Sequence, residues 1–561
     1  MFVAEQAVRG PLDLFHRTYH SLLRSTGEIQ IQALAEPYAA SEPSLHHGVR
    51  EVVPDLAALT YTSLRLPACI SRVRLVLLGQ SHEVFARHGY GAVTSWQAVS
   101  APGRRRKMFY DGDETLAVLI ASPSDVDDIA PMLVAYQIEW NKLHALLHDP
   151  RMPPLSQIEG AALATALQIA PDEIGRLRTI WGDGLHEQLS TIAQHKKRLA
   201  VRMLGGSLID YERATLRWWI NIEESLPQLN LRERPIYFVS SNTHSLINLF
   251  SGFALHHSAE LLAFLQDEGH AGLLAEHRKI LDAEVPSSHE NFLYYVQKKY
   301  QAEPISAPYF ARRAAEEQAL GISRIPSRFY VDVDAQLIEL NRLDPERLDP
   351  RLRMPGIERL GQSDALILNI DYPLGLAAYQ ILKLTARSVG AVRGVYVIGK
   401  AATLNGKIGD VLIPDEIYDE HTANRYRFVP AFSAADIEPY LAHGSVLDNQ
   451  KALTSRGTFL QNHAFLDALY RDFITDVEME GGPYLNAIYE QSVAERYPEN
   501  ATISLLRPPF DLGFLHYASD TPYSKGMNLG SRNLSYFGMD PTYATSLAVA
   551  RRILQQEIAR L

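Results

Sequence analysis

The sequence predicts an α/β protein whose C-terminal part alternates strands with helices, preceded by a mainly helical N-terminal region that carries a small sheet. Three observations predict it. After Leu229 short apolar runs such as Pro235-Ile236-Tyr237-Phe238-Val239 and Ala365-Leu366-Ile367-Leu368-Asn369-Ile370 are each followed by polar turns and then by helical periodicity. Before Leu229 the apolar residues recur at helical spacing, interrupted near residues 92–120 by β-rich runs separated by turn residues. Finally, 561 residues at 46% apolar composition can bury a sizeable core and exceed one ordinary domain.

In order along the chain, Leu14, Tyr19, Leu22 and Leu23, then Leu56, Leu59, Tyr61 and Leu64, predict helices through about residue 80. Val93–Val99, Lys107–Tyr110 and Thr115–Ile120 predict strands, the last preceded by the Asp111-Gly112-Asp113 turn. A helix follows from about Asp125 to His148, interrupted or bent at Pro131, and Asp149-Pro150-Arg151-Met152-Pro153-Pro154 reads as a linker. We therefore expect a first region over 1–150, a helical linker or accessory domain over 151–229, and an α/β domain over 230–561 with a helical insertion at about 266–360. Trp218-Trp219 reads as core or subunit interface. Within the last domain, strands are expected at 235–239, 365–370 and 392–398, with Gly399 ending the third. The final helix is expected to start at an Asp540 cap with Pro541 in its first turn.

Composition excludes several classes of function. A formal charge of -11, from 54 basic and 65 acidic residues, offers no excess to neutralise a nucleic-acid backbone, and the run Arg104-Arg105-Arg106-Lys107 reads as a solvated face. Cys69 is the only cysteine, so no internal disulfide forms and a reducing compartment is expected. No apolar run approaches a membrane span and no signal core follows the N-terminus, so a cytoplasmic protein is expected. The spacings of a dinucleotide fingerprint, a phosphate-binding loop, an HExxH helix and a Gly-x-Ser-x-Gly elbow are all missing. His20 and His289-Glu290 read as lacking a paired histidine at helical spacing, so no metal is expected.

Chemistry concentrates in four polar segments that follow strands, at 240–245, 399–406, 476–482 and 518–523. The most informative is Asp476-Val477-Glu478-Met479-Glu480-Gly481-Gly482, where strand alternation would turn Glu478 and Glu480 to one face and Met479 to the other unless the strand breaks. Together with Gly399 and Ser519-Asp520-Thr521, and with Lys407-Ile408-Gly409-Asp410-Val411-Leu412-Ile413-Pro414, these motifs resemble the nucleoside phosphorylase and nucleosidase superfamily. That group includes purine nucleoside phosphorylases, uridine phosphorylase, AMP nucleosidase and the methylthioadenosine nucleosidases. The resemblance covers residues from about 230 to the end and implies a mixed-sheet α/β/α domain.

The resemblance also implies roles. Glu480 matches the glutamate that hydrogen-bonds the ribose hydroxyls, Met479 the methionine packed on the sugar, and Glu478 the neighbouring pocket glutamate. Asp520 matches the aspartate acting at N7 of a purine leaving group, and Phe459 the aromatic that stacks on the base. Val397 and Lys400 stand where phosphate-using members place an arginine and a serine, and the loop from Asn242 to Ser245 lacks the expected arginine. Lys400 and His244 supply replacement positive charge for inorganic phosphate or a 5'-phosphate. The expected activity is cleavage of the N-glycosidic bond of a purine nucleoside or nucleoside 5'-monophosphate by water, without a cofactor. Phosphorolysis, with inorganic phosphate as co-substrate, and a catalytically silent nucleotide sensor are the alternatives. The expected partners are a small-molecule nucleoside or nucleotide and further copies of the chain, with neither nucleic acid nor membrane.

Overall fold

A computed structural model describes residues 2–25, 27–148, 155, 158–266, 268–285, 287–328, 331–493, 498–506, 508–521 and 536–561. The linker expected at 149–154 lies outside them. The N-terminal region is mainly helical around a six-stranded sheet, whose order is Ile29–Gln30, Ala200–Met203, Leu75–Gly79, Thr115–Leu119, Arg104–Tyr110 and Gln97–Ala101. Leu75–Gly79, expected within helical sequence, is instead a buried strand parallel to both of its neighbours. A fully covered strand needs only a short apolar run, which periodicity alone does not separate from helix. The strand expected over Val93–Val99 is also corrected, because Gly91–Ser95 is a 3-10 turn and pairing starts at Gln97.

The basic run does not form a solvated face. Arg106 is 5% exposed and its guanidinium is held by Asp125 and Asp128, while Arg104 pairs with Asp128 and Arg105 with Asp371. Asp125 and Asp128 ride on the helix Pro123–Leu147, whose start is fixed by a Ser122/Asp125 capping box, and Asp371 ends the strand Leu366–Asp371. The hairpin is thus tied by charge to its own helix and to the end of a strand in the second sheet.

The C-terminal domain is a mixed sheet ordered Thr502–Leu505, Asn424–Phe428, Val411–Asp419, Val446–Thr454, Ile474–Glu478, Ala391–Thr403, Pro235–Ser241, Leu366–Asp371, Ala335–Glu339 and Ile322–Ile325. An eleventh strand, Asp511–Asp520, pairs in parallel with Ala391–Thr403 and antiparallel with Val411–Asp419. Pairing therefore returns to its starting point, and five strands close a ring. Outside the ring, Pro235–Ser241 is buried along its whole length. Its Tyr237 and Val239 pack into one core with the helices Ser245–Ser251, His289–Tyr300 and Tyr536–Arg560, while Ile236 and Phe238 pack into another with Leu208–Ser225, Ala377–Ser388 and Gly481–Ser492. Side chains alternate across a strand, so two covered faces require this continuous apolar run, and the domain is α/β/α.

Trp218 and Trp219 are 4% and 2% exposed, and Trp218 Nε1 donates to the Val333 carbonyl at 2.7 Å, which makes them core. Two further expectations change. Gly399 does not end its strand, which runs on to Thr403. Asp540 does not cap the final helix, which already includes Tyr536; its carboxylate instead accepts from the backbone N–H groups of Ala442 and His443 at 2.8 and 2.7 Å. Among the described residues no helix is long and apolar enough to cross a membrane.

Candidate active site

The expected site segments converge at strand ends beside the ring. Strand Ile474–Glu478 breaks after Glu478, and Glu480 becomes the residue before the helix Gly481–Ser492. Glu478 is consumed by that turn. Its Oε2 accepts from the backbone N–H groups of Glu480 and Gly481, both at 2.6 Å, and its Oε1 accepts from the Thr454 hydroxyl. With 4% exposure and three donors, Glu478 shapes the turn.

Glu480 is half-buried, and burial followed by the neighbouring Glu478 charge pushes its carboxyl up to about 8. Its Oε1 lies 3.5 Å from the Gly375 N–H. Gly375 has a φ of +52°, and a Cβ there would fall 2.2 Å from Ser124 Oγ, so only glycine admits this approach of the N-terminal region. Met479 is half-buried in the same turn.

A second pair of charges lies behind Glu480. His516 Nδ1 is 2.6 Å from Asp476 Oδ2, and the two residues are 1% and 0% exposed. Burial alone would lower the imidazole's pKa; the Asp476 charge and hydrogen bond outweigh it, with Glu478 and Glu480 adding to them, and hold it up to about 9. Asp476 Oδ1 has no hydrogen-bond partner among the described residues. Sequence reasoning missed this pair, although Asp476 stands two residues before Glu478.

Asp520 closes the strand Asp511–Asp520 and accepts from its neighbour Ser519 Oγ at 2.9 Å. In register, both Asp520 and Val477 face Ala402 from opposite sides. The strand spacing thus sets the Asp520 and Val477 backbones about 10 Å apart. The N-terminal region supplies charge here too, since Arg65 is influenced by Asp520 and Glu480 by Arg104.

The loop after Pro235–Ser241 contributes further polar groups near these residues. Asn242 Oδ1 accepts from the N–H groups of His244 and Ser245 at 2.9 and 2.7 Å, an Asx turn that starts the next helix. Its Nδ2 is buried and meets no acceptor at ordinary hydrogen-bond geometry among the described residues, although the Asn242 side chain acts on the Tyr372 hydroxyl and pulls that phenol down against the larger effect of burial. Tyr372, whose hydroxyl is 3.3 Å from that of Tyr517, is pushed well above the usual phenol range by burial and then by Tyr517, with Glu480 adding to the effect.

His244 does not add positive charge, contrary to expectation. Burial first, then Lys298, Arg313, Arg324 and Lys400, push its imidazole down to about 3, so it is neutral among cations. Arg313 and Arg324 are paired with Glu317, whereas Lys298 and exposed Lys400 form no ion pair among the described residues. Lys298 comes from the helical insertion, which sequence reasoning had not connected with the site. Gly399 pairs with His516 in register, and a Cβ placed on it would meet only His516 Cδ2, at 3.9 Å.

Phe459 stands apart from these groups. It is 1% exposed in the N-terminal core, with its ring 5.3 Å from Tyr61 and 6.3 Å from Tyr38. Its ring meets Tyr61 edge-on and Tyr38 at a tilt.

A profile described as "Family of unknown function (DUF6909)" matches residues 31–555. No curated protein matches the chain. Among solved structures, a putative methylthioadenosine nucleosidase from Weissella paramesenteroides is 12% identical, covering 44% of this chain and 94% of its own, with a TM-score of 0.28. S-adenosylhomocysteine nucleosidase from Streptococcus pyogenes, bound to 5-methylthiotubericidin, is 10% identical over 58% and 97%, with a TM-score of 0.30. Isoform 2 of uridine phosphorylase from Schistosoma mansoni is 13% identical over 34% and 72%, with a TM-score of 0.25. Overlaps this loose transfer no residue roles.

Proposed function

We infer, for a chain that belongs to the DUF6909 family, that this site cleaves the N-glycosidic bond of a purine nucleoside or nucleoside 5'-monophosphate by water. The observation that carries the reading is a half-buried, high-pKa Glu480 just beyond the strand Ile474–Glu478, with Asp520 ending the strand on the other side of Ala391–Thr403. Breaking a C–N glycosidic bond leaves positive charge on the sugar and negative charge on the base. Asp520 delivers a proton to the departing base, while Glu480 grips the ribose hydroxyls and, once ionised, offsets the sugar's charge. Met479 packs against the sugar. Asn242 and Tyr372, which act on one another, orient the ligand from the opposite side. Atoms balance with water adding hydroxide to the sugar carbon and a proton to the base.

Lys298 and Lys400, held near neutral His244, favour an anionic group in that corner. This corner suits the 5'-phosphate of the substrate. It also keeps phosphorolysis as a second reading, because inorganic phosphate carries the same charge. We place the chemistry in the α/β domain beginning near residue 230, with the N-terminal region as one wall of the site.

The test is chromatographic detection of free base from purine and pyrimidine nucleosides and 5'-monophosphates, each with and without inorganic phosphate. Base release without phosphate supports hydrolysis, and strict phosphate dependence selects phosphorolysis. No release by folded protein would sink both readings and leave a nucleotide sensor. Asp520→Asn should abolish release while retaining the fold; an unchanged rate removes Asp520 from the mechanism.

A further inference from the structure

Far along the chain from these carboxyls, the first helix, Phe2–Leu23, carries His16 and His20. They are four residues apart, so they project from one face, and their ring centroids are 4.5 Å apart. His20 therefore does have a partner at helical spacing, one turn upstream, which corrects the expectation of an unpaired histidine. The Nε2 atoms of His16 and His20 lie 3.3 and 2.6 Å from Asp127 Oδ1, which projects from the helix Pro123–Leu147.

We propose that His16, His20 and Asp127 bind one divalent transition-metal ion that staples the first helix to the body of the protein. The two imidazole nitrogens and the carboxylate oxygen lie within 4.8 Å of one another. A tetrahedral ion with bonds of about 2.0–2.2 Å holds its ligand atoms roughly 3.3–3.6 Å apart, so side-chain shifts of about 1 Å or less complete the set. Nitrogen and oxygen donors of this kind suit zinc, cobalt or iron, and offer too few hard oxygens for calcium.

The surroundings fit this role. Asp127 is 3% exposed, and Tyr19 donates its hydroxyl to the same Oδ1 at 2.6 Å, fixing the carboxylate as an outer-shell partner does. The histidine side chains are 21% and 26% exposed, so an ion can enter and water can take a remaining coordination position. Two nearby arginines are already balanced, Arg9 by Glu420 at 3.1 Å and Arg456 by Asp13 at 3.8 Å. Neutral imidazoles with one carboxylate carry a single negative charge, which a divalent cation reverses without adding an unpaired buried anion.

The test uses the full chain, freed of metal with a chelator and titrated with cobalt(II), reading visible d–d absorption and then displacement by zinc(II). One equivalent of cobalt should bind and be displaced by zinc. His16→Gln and His20→Gln should each weaken binding by at least the about 10–100-fold that loss of an outer-shell partner costs. His144→Gln should leave binding unchanged; it disrupts the stacked His144/His148 pair, whose His144 Nδ1 already contacts the Ile192 carbonyl. Absence of stoichiometric binding, or equal affinity in the His16 and His20 variants, overturns the proposal. If either variant fails to fold, X-ray absorption at the cobalt edge of the parent decides: two imidazoles in the first shell support the site, and their absence refutes it.

Discussion

Glu480 is expected to hold its proton at neutral pH, and Glu480→Gln isolates that property. With a pKa of about 8, its carboxyl is about 99% protonated at pH 6, whereas an ordinary glutamate at 4.5 is about 97% ionised. The unfolded chain ionises this group from pH 4.5 upward while the folded protein holds the proton until about pH 8. The unfolded state therefore binds fewer protons, and the group lowers stability progressively as pH rises from 4.5 to 8. Its full linkage cost is about 5 kcal/mol, and water reaching a half-buried carboxyl reduces this to about 2–4 kcal/mol. Glutamine cannot ionise, so the variant should match the parent at pH 4.5 and exceed it by that amount at pH 8. Urea unfolding of both proteins across this range measures the difference. The infrared carbonyl stretch of the protonated acid, taken as parent minus variant, measures the midpoint directly. A midpoint near 4.5 with no pH-dependent stability gap would refute the account of burial and Glu478 repulsion.

Three other substitutions probe the site and its surroundings. Asp476→Asn leaves the His516 imidazolium without its buried counter-charge and should destabilise the fold by about 3–5 kcal/mol. In the parent, the stability contributed by the raised His516 pKa should be complete below pH 6.5 and lost as pH rises through about 9; a flat parent-minus-variant profile over that window would contradict it. Phe459→Ala should cost about 3–5 kcal/mol in unfolding experiments while leaving ligand affinity unchanged, since its ring packs on Tyr38 and Tyr61; selective loss of base affinity would return it to the site. Gly399→Ala should keep stability within about 0.5 kcal/mol, because a Cβ there meets nothing closer than 3.9 Å, and a thermal melt checks this.

The sequence was most legible where one physical signal dominated. Pro235–Ser241 and Leu366–Asp371 are strands because both faces must be apolar, and the helix expected from about Asp125 starts at Pro123. Legibility failed where distant segments decide the outcome. Asp540 has the local features of a cap, yet its carboxylate serves a loop about a hundred residues earlier while the helix extends past it. Phe459 lies at a plausible spacing before Glu478, but its neighbours arrive from residues 38 and 61. Glu480 and Asp520 could be picked out from short motifs, whereas the Asp476–His516 pair emerges only when their strands are brought to either side of Ala391–Thr403. The neutrality of His244 depends on Lys298, carried by an inserted helix that no local pattern connects with it.

The closed ring gives the two halves of the site unequal mechanical freedom. Displacing any ring strand opens two seams at once, so Asp476, Glu478, His516 and Asp520 are carried by segments that cannot fray singly. Lys298 belongs to the insertion that returns to the sheet through its terminal strand, Ile322–Ile325, which has one seam only. Amide exchange should therefore report one slow cooperative block under the carboxyls and a faster one under the lysine. A ligand touching both would join a fixed jaw to a yielding one.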